Sequence, residues 1–221
     1  MHLMPHPHRL PRLLCFAAVA VVILSGIRPA DWQDWLLENA LVAVALPLLV
    51  FGYRRMPFSD ASYVSLLLFL CLHEIGAHYT YSEVPYPRWL DACGLTSLGE
   101  MASSGRNHFD RAVHFAYGVL VTPAVVELFA WRAPPRGIWR WILPVTFVMS
   151  HSLIYELVEW MAAESFGGDL GQAYLGTQGD VWDAQKDMAL ASLGSALAVL
   201  VLATCRWRPM FIARDASASS V

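Results

Sequence analysis

Charge is scarce in this chain. Asp, Glu, Lys and Arg make up 15% of its 221 residues, against roughly a quarter in an ordinary soluble domain. Lys186 is the only lysine, and the arginines are scattered singly or in short groups. That leaves no basic stripe to follow a phosphate backbone, so nucleic acid is excluded as a partner. The four cysteines, Cys15, Cys71, Cys93 and Cys205, show no C-x-x-C spacing. Neither a zinc ribbon nor a disulfide framework is therefore expected, and the thiols read as buried and inert. Gly167, Gly168, Gly171, Gly176 and Gly179 crowd one stretch, but no G-x-x-x-x-G-K-[ST] loop follows a strand there. The run HEIGAH misses the H-E-x-x-H spacing by one residue. Internal repeats, charged low-complexity blocks and a serine-nucleophile arrangement are also missing.

Apolar sequence is abundant. Hydrophobic residues make up 57% of the chain and mean hydropathy is +0.45. These residues fall in long blocks, and a bilayer-spanning helix needs roughly 17–25 mostly apolar residues. About six segments qualify: 13–30, 33–53, 60–81, 110–131, 138–162 and 187–206. The expected fold is all-α, a polytopic transmembrane bundle of about six helices. Arg9 and Arg12 precede a first segment that lacks a convincing cleavage site, so it reads as a retained helix.

If the helices alternate, Arg9, Arg12, Arg54, Arg55, Arg132, Arg136, Arg140, Arg206, Arg208 and Arg214 all fall on one side. The positive-inside rule makes that side cytoplasmic, with both termini there. The opposite side is expected to carry Asp31, Asp34, Glu38, Glu83, Asp91, Glu100, Glu164, Asp169 and Asp180 in its loops. The expected organisation is a cytoplasmic N-terminus (1–12), a single bundle (13–206) with outer loops 82–109 and 164–182, and a disordered cytoplasmic tail (207–221). The first two helices look chemically plain, with Trp32 and Trp35 suited to the interfacial belt and Pro47 set to kink the second. Loop 82–109 is apolar enough to rest on the bilayer surface or cover a site.

The remaining segments are not plain. At ~1.5 Å per residue, His73, Glu74 and His78 on the third segment, His114 on the fourth and His151, Glu156 and Glu159 on the fifth reach one level. Asp183 and Asp187 open the sixth at the same level, the outer third of the membrane. Glu74/His78, Asp110/His114 and Asp183/Asp187 are i,i+4 pairs, and Glu156/Glu159 is an i,i+3 pair, so each helix offers one polar face. Such a gathering of carboxylates needs neutralising, because a charge at a helix centre costs ~2.5–3.5 kcal/mol. The N-terminal end of the sixth helix offsets only ~0.3–1 kcal/mol of this.

A divalent cation (Zn, Mn or Fe) bound by imidazole and carboxylate is the economical remedy. The expected metal ligands are His73, Glu74, His78, His114, Asp183 and Asp187. Glu156, Glu159, Asp110 and His114 are the expected catalytic groups, with Glu156 or Glu159 as base. Arg106 and Arg111 would hold an anionic group, with Asn107, Gln178, Asp180, Gln185 and Lys186 completing the substrate site. Plainer readings exist for some positions. Asp183 could simply cap the sixth helix, and Glu127, deep in segment four, could pair with Arg132 or Arg136. The tract His2, His6, His8 reads as a disordered terminus, and a polar network could serve only to join helices.

The runs HEIGAHYTYSEVPY, GRNHFDRAVHFAYG, YELVEW and LGTQGDVWDAQKDMALASLG resemble the YjdF-type family of uncharacterised bacterial inner-membrane proteins, over roughly residues 33–206. More remotely, D-x-x-x-H, E-x-x-E and D-x-x-x-D, carried here by Asp110, His114, Glu156, Glu159, Asp183 and Asp187, are similar to the VanZ-like superfamily. Glu159 and Asp187 stand where that pattern has Gln and Asn, which makes this chain more acidic. The resemblance implies a multi-pass protein of the bacterial inner membrane and the same residue set, and it supplies no reaction. Three functions follow as expectations. The first is an envelope hydrolase or transferase acting on a lipid-like substrate. The second is a cation- or proton-coupled transporter, and the third a non-catalytic envelope binding or assembly protein.

Overall fold

In the computed structural model, residues 9–205 are described, apart from Ser103. The expected tail 207–221, the tract His2, His6, His8 and Arg206, Arg208 and Arg214 lie outside the described residues. Every long apolar block forms a helix. They are α1 (Arg9–Ser25), α2 (Trp32–Gly52), α3 (Asp60–His78), α6 (Phe109–Arg132), α7 (Trp139–Phe166) and α9 (Asp183–Thr204). Between them lie the short helices α4 (Tyr86–Ala92), α5 (Thr96–Ala102) and α8 (Gly168–Leu175), and a 3-10 turn at Tyr81–Glu83. No strand occurs among the described residues. Five helices, α2, α3, α6, α7 and α9, are long and apolar enough to cross a membrane. With the shorter α1 they agree with a bundle of about six. α1 begins at Arg9, four residues before the apolar block that starts at 13.

Local chemistry sets the ends. Asp31 caps α2 by accepting from the Gln33 and Asp34 N–H groups at 2.7 and 2.9 Å. Ser59 caps α3 through the Ser62 N–H at 3.2 Å. α7 stops at Gly167, whose φ of 64° is open to glycine and strained for most other residues. α2, α6 and α7 each continue through an internal proline, Pro47, Pro123 and Pro144, as spanning helices can when neighbours satisfy the freed carbonyls.

α6 and α9 form the tightest pair. A Cβ on Gly118 would lie 2.0 Å from the Ala191 carbonyl oxygen, and one on Gly194 would lie 2.2 Å from that of Phe115. The two backbones therefore touch, as small residues permit between helices in lipid. Thr122 donates to the Gly118 carbonyl at 2.6 Å and meets Ser195 Oγ at 2.7 Å in the same seam. Val125, Val148 and Ala191 continue the contact into α7 as a small apolar core.

α2 is held differently. It rests mainly against α3 and α8, and much of its apolar run faces outward, with Leu48 and Phe51 exposed. The arginine-bearing ends (Arg9, Arg12, Arg54, Arg55, Arg132, Arg136, Arg140) form one pole of the bundle, called here the arginine end. The starts of α6 and α9 form the acid end. Helices α4 and α5 lie in loop 82–109 and leave Trp89, Leu95, Leu98 and Met101 exposed. The thiols are free, and Cys93 and Cys205 are exposed, contrary to the expectation of burial.

Candidate functional site

The acid end is organised by register. α6 and α9 run in the same direction, and Arg111–Asp183 and Thr122–Ser195 keep sequence separations of 72 and 73. Parallel helices with touching backbones keep equal levels equal, so Asp110 and His114 at the start of α6 face Asp187 at the start of α9. One donor atom from each of these three residues lies within 4.8 Å of the others, close enough to hold a single ion. α7 adds Glu156, whose Oε1 lies 3.6 Å from His114 Nε2, and His114 Nε2 lies 3.5 Å from Asp110 Oδ1. Glu159 lies one turn further on, against Glu156 and Tyr155. His114, Glu159 and Asp187 are all buried. Asp187 Oδ1 and Glu156 Oε1 are buried without any hydrogen-bond partner. Buried carboxylate oxygens rarely remain so without a reason.

The other expected ligands go elsewhere. Glu74 and His78 do share a face of α3, but that face meets the end of α1. Ser25 Oγ donates to Glu74 Oε2, and His78 Nδ1 donates to the Ser25 carbonyl at 2.7 Å. Trp35 Nε1 donates to Ser25 Oγ at 3.0 Å, so Trp35 turns inward and only Trp32 is left exposed at that edge. His73, one residue before Glu74, points a different way and accepts or donates at Tyr81 Oη, 2.6 Å away. The turn after α3 makes that contact. Thr80 and Tyr81 have φ values of 54° and 35°, and the chain doubles back until the Tyr81 ring covers Gly76, where a Cβ would meet it at 2.5 Å. His73, Glu74 and His78 therefore do not join the Asp110, His114 and Asp187 group. His151 also stays apart, stacked on Tyr117 with its Nδ1 2.7 Å from the phenol oxygen.

Asp183, Arg106 and Arg111 are engaged with one another. Arg106 reaches Asp183 Oδ1 at 2.5 Å and Oδ2 at 3.1 Å, and also the carbonyls of Thr177 and Gly176. Arg111 binds Asp183 at 3.0 Å and also Asp180. Asp183 is thus an ion-pair partner inside the first turn of α9, where Trp182 occupies the cap position. Lys186 binds Asp180 at 2.5 Å. That bond, with the Trp182 N–H and Arg111, holds the Asp180 carboxyl well below the usual carboxylate range. Asn107 and Gln178 pair in both directions, Asn107 N–H to Gln178 Oε1 at 2.8 Å and Gln178 Nε2 to the Asn107 carbonyl at 2.9 Å. Gln185 is exposed. These residues close the two loops over the cluster by bonding to each other.

Residues outside the expected set also matter. Asp34 and Glu38 are not loop residues. They lie inside α2, buried, together with Asn39, so the second helix is not chemically plain. Their i,i+4 spacing was visible in the sequence. Tyr155 donates to Glu38 Oε2 at 3.2 Å, tying α7 to α2. Glu127, fully buried near the arginine end, accepts from the Ser59 N–H at 2.8 Å and Ser62 Oγ at 3.0 Å. It thus serves the start of α3, not Arg132 or Arg136.

A cavity of about 900 Å³ runs along the bundle between α2 and the α3, α6 and α7 walls. At the arginine end it meets Arg12, Tyr53 and Met56, and its middle is lined by Leu49, Leu67, Val121 and similar side chains. Its other end is formed by Glu38, Asp110, His114, Tyr155, Glu159 and Tyr174. Burial pushes the phenols of Tyr81 and Tyr174, both outside the spanning helices, upward, so they stay neutral.

Comparisons agree with a membrane protein. No solved structure matches the chain. It is 32% identical over 191 residues to the inner membrane protein YjdF of Escherichia coli (strain K12), covering 86% of this chain and 87% of that protein. With apolar helices long enough to cross a membrane, this makes it a multi-pass protein of the bacterial inner membrane. Residues 10–208 match the family described as "Predicted membrane protein (DUF2238)", and the chain belongs to that family.

Proposed function

We propose that this integral membrane protein binds a lipid-like molecule, with its chain in the cavity, and acts on the head as a hydrolase or transferase with a divalent cation at Asp110, His114 and Asp187. One observation carries the reading: Asp110, His114 and Glu159 belong both to the acid cluster and to the wall of the apolar cavity. A chain-length apolar space that ends on clustered imidazole and carboxylate suits an amphiphile positioned for chemistry.

One imidazole and two carboxylates form a donor set that divalent first-row metals accept. The partnerless, buried Asp187 Oδ1 supports an ion there. When bound, such an ion supplies Lewis-acid activation of the group being transferred. Glu156, 3.6 Å from His114, is placed to hold or move a proton at the reacting group. Glu159 on the cavity wall and Tyr155 beside it orient the head. The ion-paired loops, tied through Arg106, Arg111, Asp180 and Asp183, exclude water from above. The arginine end is assigned to the cytoplasm by the positive-inside rule, which puts the cluster on the periplasmic side.

Elemental analysis of protein purified without chelator tests the metal. About one equivalent is expected, lost in His114→Ala and Asp187→Asn while thermal unfolding stays cooperative. Folded wild-type protein with no divalent metal, and no affinity for added Zn, Mn or Fe, would overturn the reading. The free, exposed cysteines test orientation. A membrane-impermeant maleimide applied to spheroplasts is expected to label Cys93 and spare Cys205, and the reverse pattern would invert the protein.

A further inference from the structure

The cavity's acid end has a distinctive set of side chains. Its ionisable lining there is Glu38, Asp110 and Glu159 with His73 and His114, and among the described residues no lysine or arginine joins them. Among the described residues that line the cavity, the one lysine or arginine is Arg12, at the opposite pole. Arg106 and Arg111, the guanidinium groups nearest in sequence to this level, are taken up by Asp180 and Asp183. Even with a divalent ion on Asp110, His114 and Asp187, Glu38 and Glu159 face the cavity with no fixed cation opposite. Beyond such an ion, an anionic head would meet these two carboxylates with no lysine or arginine beside them.

The rest of the lining fits the opposite charge. Tyr81, Tyr155 and Tyr174 surround this end, and Phe69 and Tyr117 stand below it. The hydroxyls of Tyr81, Tyr117 and Tyr155 already bond to His73, His151 and Glu38. What these residues have left to offer a ligand is largely ring surface. Two buried polar atoms on the cavity wall also lack partners. Ser152 Oγ has none, with its residue 2% exposed. His73 Nε2, on a residue 7% exposed, lies near the Glu38 backbone carbonyl without completing a bond.

Carboxyl groups combined with aromatic rings, and no lysine or arginine among them, are the chemistry of ammonium recognition. We infer that the ligand of this cavity is a long-chain amphiphile with a cationic amine head, held by Glu38, Glu159 and the tyrosine rings at the acid end. The inference rests on the lipid-binding reading above and narrows its substrate class.

Three probes sharing one twelve-carbon chain test it: dodecyltrimethylammonium, dodecanol and dodecyl phosphate. Each is titrated against the full-length protein in lipid nanodiscs, with binding read from intrinsic tryptophan fluorescence and thermal shift. The ammonium probe is expected to bind about tenfold more tightly than the alcohol, and the phosphate more weakly than either. Glu38→Gln and Glu159→Gln keep size and shape, and each is expected to remove most of the preference for the ammonium probe over dodecanol. Ala45→Trp, which places a bulky ring on the apolar wall, is expected to weaken all three. If all probes bind and Ala45→Trp blocks them, but the phosphate is preferred or the three bind equally, the amine inference falls and the lipid reading stands. If none binds, or Ala45→Trp changes nothing, both fall.

Discussion

The two sides of the bundle are held together in opposite ways. On one side α6 and α9 touch backbone to backbone through Gly118 and Gly194, with Thr122 and Ser195 bonded across the seam. On the other, α2 stands off behind a cavity of about 900 Å³ and is tied at its acid end by side chains such as Glu38 and Trp35. A seam without slack holds Asp110, His114 and Asp187 at one level. α2 has no such seam, and a few polar contacts hold it across the cavity. The difference can be broken on either side.

The largest effect is expected in the seam. Gly118→Leu and Gly194→Leu each place a Cβ where a backbone oxygen stands at 2.0 or 2.2 Å, and no rotamer relieves that. Each should cost at or beyond the upper end of the roughly 1–3 kcal/mol usual for overpacking. The expected readout is loss of the cooperative thermal transition and of the monodisperse chromatographic peak. Ala45→Leu on α2 is the control and should stay within about 0.5 kcal/mol of the parent. Equal sensitivity at both places would erase the distinction.

A smaller effect is expected from Tyr155→Phe, which removes the hydroxyl that reaches Glu38 at 3.2 Å. The loss should be about 0.5–1.5 kcal/mol. Faster labelling of cysteines introduced at Leu46 and Leu49, both on the cavity wall, should report a freer α2. Unchanged labelling would show that α2 does not depend on this bond.

The smallest effect belongs to the loops above the cluster. The Asp180 carboxyl is held below its ordinary range by Lys186, Trp182 and Arg111. A group depressed in the folded state stabilises above its unfolded value, near 3.9, and that contribution is lost as pH falls below it. Asp180→Asn should therefore lower the melting temperature slightly and evenly from pH 5 to 8. The gap from the parent should close as pH drops below about 4. A gap that widens on acidification would reverse the assignment.

Much of this could be read along the chain. Spanning a bilayer requires long apolar helices whose backbones satisfy themselves, so blocks of hydrophobic residues are almost sufficient to place them. The i,i+4 and i,i+3 pairs announced polar faces on α3, α6, α7 and α9. Those on α6, α7 and α9 do meet, because α6 and α9 share a level and α7 crosses beside them. Helical periodicity says which side chains share a face. It says nothing of which neighbour that face will meet.

That second question went differently on α3, where Glu74 and His78 turn to Ser25 at the end of α1. It went differently again for Arg106 and Arg111, whose partners lie 69 to 77 residues away. Asp34 and Glu38 fall inside the apolar block 33–53, and what buries them is not written there: Tyr155, from a helix more than a hundred residues on, meets Glu38, and Glu74 of α3 meets the neighbouring Asn39. The cavity is the most distant from sequence, since empty space belongs to no residue. It exists because α6 and α9 close completely and α2 does not, a balance of contacts between remote segments that composition and spacing leave open.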